Sequence, residues 1–161
     1  MTPTKKTTTR KTRVKLPPNP FAHEVLELAS KQRTKAKKIE ILQEYESDAL
    51  KSILIWNFDQ TVVSMVPEGE VPYKKNEVPI GTDHTSLRRE WKNLYHFVKG
   101  GNDKISAIRR ETMFIQMLEG LHPEEAEILC LVKDKALEDK YNITYDMVKK
   151  AYPYIQWGGR S

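Results

Sequence analysis

The stretch from Lys104 to Lys135 constrains this chain most, because it reads as two amphipathic helices joined by a turn so short that they must pack against each other. The first helix places Ile105, Ile108, Met113, Ile115, Met117 and Leu118 on an apolar stripe. Asn102 or Asp103 stands just before it to cap the free backbone N–H groups. Gly120 suits the left-handed residue that closes a helix, and His122-Pro123 starts the next, since proline lacks the N–H that would be orphaned there. Glu124, Glu125 and Glu127 meet the positive end of the second helix dipole, while Ala126, Ile128, Leu129, Leu131 and Val132 turn inward.

The same reading extends over the rest of the chain. Asn19 as cap and Pro20 in the first turn open a helix to about Arg33, with Phe21, Val25, Leu28 and Ala29 inward. Ile39, Leu42 and Tyr45 carry a second helix. A third begins near Ser47-Asp48 and is apolar nearly all round, with Leu50, Ile53, Leu54, Trp56 and Phe58. From 61 to 82 the helical period disappears among Pro67, Gly69, Pro72, Pro79 and Gly81; a loop of this length either carries binding function or lies across the surface as a packed arm. Thr82 or Asp83 then caps a helix running to Lys99 with Leu87, Trp91, Leu94, Tyr95 and Val98 at core spacing, closed by Gly100-Gly101. The expected fold is all-α: one helical domain of about six or seven helices over 20–157, after a disordered basic arm and Pro-rich spacer at 1–19 and before a loose end at 158–161.

Charge is where composition becomes informative. The net +5 is uneven: Lys5, Lys6, Arg10, Lys11, Arg13 and Lys15 lie in the first 16 residues with no acid among them. Removing those six from the 27 basic residues leaves 21 against 22 acids, a net of −1. The basicity of the whole chain therefore says nothing about its folded surface. Such an arm neutralises phosphates or simply solubilises the terminus. A second cluster, Lys31 to Lys38, is followed by Glu40, Glu44, Glu46 and Asp48 and reads as a solvated, paired face.

Two stretches within the domain are candidate nucleic-acid contacts. Arg88, Arg89, Lys92, Lys99, Lys104, Arg109 and Arg110 bracket the Gly-Gly turn and interleave with Tyr95, His96 and Phe97, the mixture with which single-strand binders hold a phosphate backbone and a stacked base. The competing reading buries the aromatics and pairs the arginines with Glu111 or Glu119. Residues 137–152 have helix-turn-helix spacing and resemble the DNA-binding motif of many bacterial repressors. Leu137 and Tyr141 close one helix, Asn142 takes the left-handed turn position, Ile143 plugs the angle, and Thr144 caps a second helix. Thr144, Tyr145, Lys149 and Lys150 would then face a major groove. Asp146 has the wrong sign for that role and Pro153 limits the helix to about two turns, so a structural corner is equally consistent.

Catalysis has no local signature. No glycine-rich phosphate loop, nucleophile elbow or paired histidines at ligand spacing occur, and His23, His84, His96 and His122 are scattered. No catalytic residue, metal centre or cofactor is expected, and the chain reads as non-enzymatic. Cys130 is the only cysteine and excludes an internal disulfide. No apolar run approaches the roughly 18 residues that span a bilayer.

Pro67-Glu68-Gly69-Glu70 with Pro72-Tyr73, Gly81-Thr82-Asp83-His84-Thr85, Tyr95 to Gly101, Met113 to Pro123 and Ile155-Gln156-Trp157-Gly158 together are similar to a family of small proteins of T-even-like tailed bacteriophages of marine bacteria, the cyanophage type. The resemblance implies a viral origin, a setting in the cytoplasm of a bacterial host or in the virion, and no transferred catalytic residue. The expected function is association with nucleic acid through the arm and the basic patches, with a regulatory role in view. The alternative is a protein-interaction module, a modulator of a host enzyme or a virion component, whose partner is a host or phage protein.

Overall fold

The expected hairpin forms the spine of the molecule. A computed structural model describes residues 15–79 and 84–160. Within them seven α-helices make one all-α domain: α1 (Ala22–Ser30), α2 (Lys35–Glu44), α3 (Asp48–Phe58), α4 (Leu87–Glu90), α5 (Ala107–Gly120), α6 (Pro123–Lys133) and α7 (Tyr145–Ala151). Two 3-10 segments, Trp91–Phe97 and Leu137–Asp139, complete the helical structure. Among the described residues no sheet forms, only isolated bridges at Ser64–Val98 and Thr85–Leu121. Helix α6 packs against α1, α3 and α5, while α2 joins α1 to α7. Lys5, Lys6, Arg10, Lys11 and Arg13 of the basic arm, and the expected caps Thr82 and Asp83, lie outside the described residues.

The hairpin differs from expectation at both ends of α5. Ser106, not Asn102 or Asp103, caps the helix by accepting the Arg109 N–H at 3.1 Å, and Asp103 instead accepts Gly100 N–H at 2.9 Å to close the preceding turn. Gly120 remains helical. The chain leaves α5 through extended Leu121, which is fully buried, and the Gly120 carbonyl accepts Thr85 N–H at 2.8 Å, so a neighbouring segment does the work of a left-handed cap. The inward line of α5 is Arg110, Phe114 and Leu118, four residues apart, which leaves Ile108 79% exposed. The Pro123 start is as expected, with His122 Nδ1 accepting the Glu124 N–H at 3.1 Å.

Elsewhere tertiary contacts shift boundaries. Asn19 is not the cap of α1: it takes a φ of +55°, and Phe21 occupies the N-cap with its N–H bonded to the Glu24 carboxylate at 2.8 Å. Helix α1 ends at Ser30, short of Arg33, because Lys38, buried on α2, donates its ammonium to the Ser30 carbonyl at 2.7 Å. Lys38 is thus a helix C-cap and not part of a surface cluster. The helix expected to reach Lys99 breaks after Glu90 into a 3-10 segment, whose three-residue repeat places Trp91, Leu94 and Phe97 on one side and turns Tyr95 outward. Gly100 closes that segment at φ +87°, and a Cβ on Gly101 would lie 2.0 Å from the Tyr95 carbonyl oxygen.

The described part of the long connection, 61–79, is a packed arm. Val62 and Val66 are buried, and Met65 N–H and Lys99 N–H bond to Phe97 O and Val63 O at 2.7 and 2.8 Å. Buried Lys133 holds the turn that follows through Pro67 O and Gly69 O at 2.9 and 2.7 Å. The C-terminal end is equally tied. Asp59 accepts from Thr61 N and Oγ1, from Gly158 N at 2.9 Å and from Arg160 Nε at 2.9 Å, so 158–160 is anchored where a loose end was expected. Burial by itself would raise the Asp59 carboxyl, but the donors from Thr61, Gly158 and Arg160 outweigh it and bring it down to about 2.

Glu125 joins three helix starts. It lies in the first turn of α6, is 1% exposed, and accepts Ala22 N–H and Leu87 N–H at 3.0 Å each. Ala22 and Leu87 are the first residues of α1 and α4, so one carboxylate faces the positive ends of three helices. Burial pushes its pKa up, and the two N–H bonds pull against that rise.

Two predictions follow from these buried acids. Glu125→Ala strands two buried N–H donors and should cost about 2–5 kcal/mol in urea denaturation, with Glu125→Gln losing less because its carbonyl retains one acceptor. Asp59 titrates lower in the folded than in the unfolded chain, so its contribution is present above the unfolded carboxylate range and lost as pH falls from about 4 towards 2. Asp59→Asn should therefore melt earlier at pH 7 and show a flatter loss of Tm over that acid window than the unsubstituted protein.

Candidate nucleic-acid interface

A groove of about 390 Å³ opens between α3 and the segment 91–101. Trp91, Leu94, Tyr95 and Val98 line one wall, Ile55, Trp56 and Val62 the other, with Lys92, Lys99 and Arg160 as its cations. The 3-10 winding builds this groove, since a continuous α-helix would have turned Tyr95 inward with the core positions. Tyr95 is 48% exposed and its ring centroid stands 4.0 Å from that of His96. Trp56 is core: it is 3% exposed and donates Nε1–H to Ser64 Oγ at 2.8 Å. Phe97 is core as well, edge-on to Phe114 at 5.0 Å.

The cations around the Gly-Gly turn divide in two. Arg88, Arg89, Lys92, Lys99, Lys104 and Arg109 are exposed, and none forms an ion pair with a carboxylate among the described residues. Lys92 lies 5.8 Å from the Trp91 ring. Arg110 has a different fate: at 4% exposure its guanidinium donates to His96 O, Asn102 O and Ile105 O at 2.9, 2.9 and 3.4 Å, closing the turn from beneath. It is withdrawn from any phosphate. The pairing weighed for this cluster does not form either, since Glu119 accepts Lys74 N–H instead. Lys15 is exposed at the start of the described chain.

The 137–152 corner departs from a helix-turn-helix. Its first element is the single 3-10 turn Leu137–Asp139 and its second is seven residues long. Asn142 does not take positive φ; the left-handed residue is Lys135, at φ +56°, just after α6. Thr144 caps α7 as expected, accepting Met147 N–H at 3.4 Å, and Ile143 is buried. The residues expected to face a groove are engaged within the domain. Tyr145 stacks on Phe58 and meets the edge of Trp157 at 5.0 Å, Lys149 covers the Tyr145 ring at 4.9 Å, and Asp146 pairs with both Lys150 and Lys35. Core demand explains the difference, because Leu137, Tyr141 and Ile143 must all reach the interior within seven residues.

Three of the four histidines converge at the start of α6. The rings of His23 and His122 stack at 4.7 Å, His84 stands 5.6 Å from His122, and Phe21 flanks both His23 and His122. His23 Nε2 lies 3.1 Å from Glu124 Oε2, and burial lowers its pKa against the pull of Glu124. Sequence spacing offered no sign of this cluster, since nearly a hundred residues separate His23 from His122; only the packing of α1 on α6 joins them. Cys130 is half-buried beside Tyr73, and burial pushes its thiol up to about 11.

No helix among the described residues is long and apolar enough to cross a membrane. No curated protein and no solved structure matches the chain. Residues 25–139 match DUF6433, a family of unknown function, and cover α2 to α6, most of α1, the groove segment and the packed arm. With that match across most of its 161 residues, the chain belongs to the DUF6433 family.

Proposed function

We propose that this protein is a non-enzymatic, nucleic-acid-associated protein whose folded domain holds a single strand at the groove between α3 and 91–101. One observation carries the reading: Lys92 and Lys99, exposed and without carboxylate partners among the described residues, line a groove in which Tyr95 and Trp91 offer aromatic surface. Lys35, Lys51 and Lys140, by contrast, are paired with acids. A duplex hides its bases, so stacking on Tyr95 favours a single strand, with Lys92 and Lys99 meeting phosphates. The basic arm adds sequence-independent contacts that weaken with salt. Likeness of the motifs to tailed-phage proteins supports a setting in an infected bacterial cell.

The test is fluorescence anisotropy with labelled single-stranded DNA, single-stranded RNA and duplex DNA over a salt series. Lys92→Glu with Lys99→Glu should weaken single-strand binding at least tenfold and flatten the salt dependence, and Tyr95→Ala should cost about 1–3 kcal/mol with little change in salt slope. Binding that survives all three changes and disappears only on removal of residues 1–18 would reduce the role to an electrostatic tether.

A further inference from the structure

The histidine cluster lies apart from the groove and has a chemistry of its own. We propose that His23, His122 and Glu124 form a binding site for a divalent transition-metal ion of the zinc class. One ligand atom from each residue lies within 4.8 Å of the other two. Two imidazole nitrogens and one carboxylate oxygen are the donor set of an open zinc site, with a fourth position left for water. The 3.1 Å separation of His23 Nε2 and Glu124 Oε2 suits a shared proton, and it is also close to the edge, about 3.3 Å, of a tetrahedron with vertices roughly 2.0–2.1 Å from a central ion.

The hydrogen bonding makes room for the exchange. His23 is 6% exposed and its Nδ1 is buried without a partner, which is uncommon for a polar atom. When an ion takes Nε2, the ring proton moves to Nδ1 with no existing bond broken there, and the imidazole stays neutral. His122 pays a local cost, because turning a lone pair to the ion releases the Glu124 N–H that its Nδ1 accepts. That N–H belongs to the first turn of α6, where solvent can replace the cap: the Glu124 side chain is 43% exposed, which also provides the path of entry. Uptake therefore exchanges a neutral cap for a metal bond while Glu125, one residue on, keeps α1 and α4 in place.

The experiment titrates the full-length protein, first stripped with chelator, with Zn²⁺ by calorimetry and with Co²⁺ by absorption. One Zn²⁺ should bind per chain, Co²⁺ should give tetrahedral d–d bands without the thiolate charge-transfer band that Cys130 would add, and the Glu124 amide resonance should move. His23→Gln and Glu124→Gln, each confirmed as folded by circular dichroism, should weaken Zn²⁺ at least tenfold, whereas His96→Gln should not. His96 is bonded to Asn102 and lies outside the cluster. Absence of saturable binding, or an affinity in His23→Gln and Glu124→Gln unchanged from the unsubstituted protein, would overturn the site. The readout is independent of nucleic acid, so its failure leaves the groove reading intact.

Discussion

The carboxylate of Glu125 is the constraint around which this domain is assembled. Helix N-termini repel one another through their partial positive charges and leave N–H groups that the interior cannot solvate. Here α1, α4 and α6 begin at one place, and a single buried carboxyl group satisfies two of the three. Its bonds join residues 103 and 38 positions away in sequence, so the hairpin, the first helix and the groove-forming segment are oriented together. A glutamine there would present one acceptor oxygen in place of two and so satisfy only part of this set.

Cations perform the complementary task at carbonyl ends. Lys38 closes α1, Lys135 donates to Trp56 O and Asp59 O at the end of α3, Lys133 holds the packed arm, and Arg110 closes the Gly-Gly turn. Lys133 and Lys135 serve carbonyls more than sixty residues away, whereas Lys38 and Arg110 serve those of the element just before their own, and each satisfies carbonyls that the fold leaves without helical partners. This internal use of charge is what makes the unpaired cations from Arg88 to Arg109 conspicuous. Among the described residues no carboxylate pairs with them, and Arg88, Arg89, Lys92 and Lys99 lie in or beside the segment whose winding changes from α to 3-10.

Much of the architecture was legible in advance. A helix start near Ser47, Thr144 as a cap, Pro123 as a helix start, Trp56 as core and Gly100-Gly101 as a closing turn were all readable, because each depends on a residue's own stereochemistry or hydrogen-bonding capacity within a few positions. The misreadings share another cause. Asn19, Asn102, Asp103 and Asn142 had suitable local chemistry for caps and turns, but Phe21, Ser106 and Lys135 took those roles once buried neighbours dictated where each helix could end.

By itself, then, the sequence determined that the chain is helical, where most helices lie, that its folded part is close to neutral, and that basic residues gather about Gly100-Gly101. Periodicity and capping are local properties, recorded within one or two helical turns. Tertiary structure alone decided which charges serve the interior and which face solvent: Arg109 and Arg110 are adjacent in sequence, yet one is exposed and the other buried under three carbonyls. It alone brought His23 to His122 and Glu125 to Ala22. Those contacts arise from the docking of α1 on α6, a relation across about a hundred residues that no local pattern encodes.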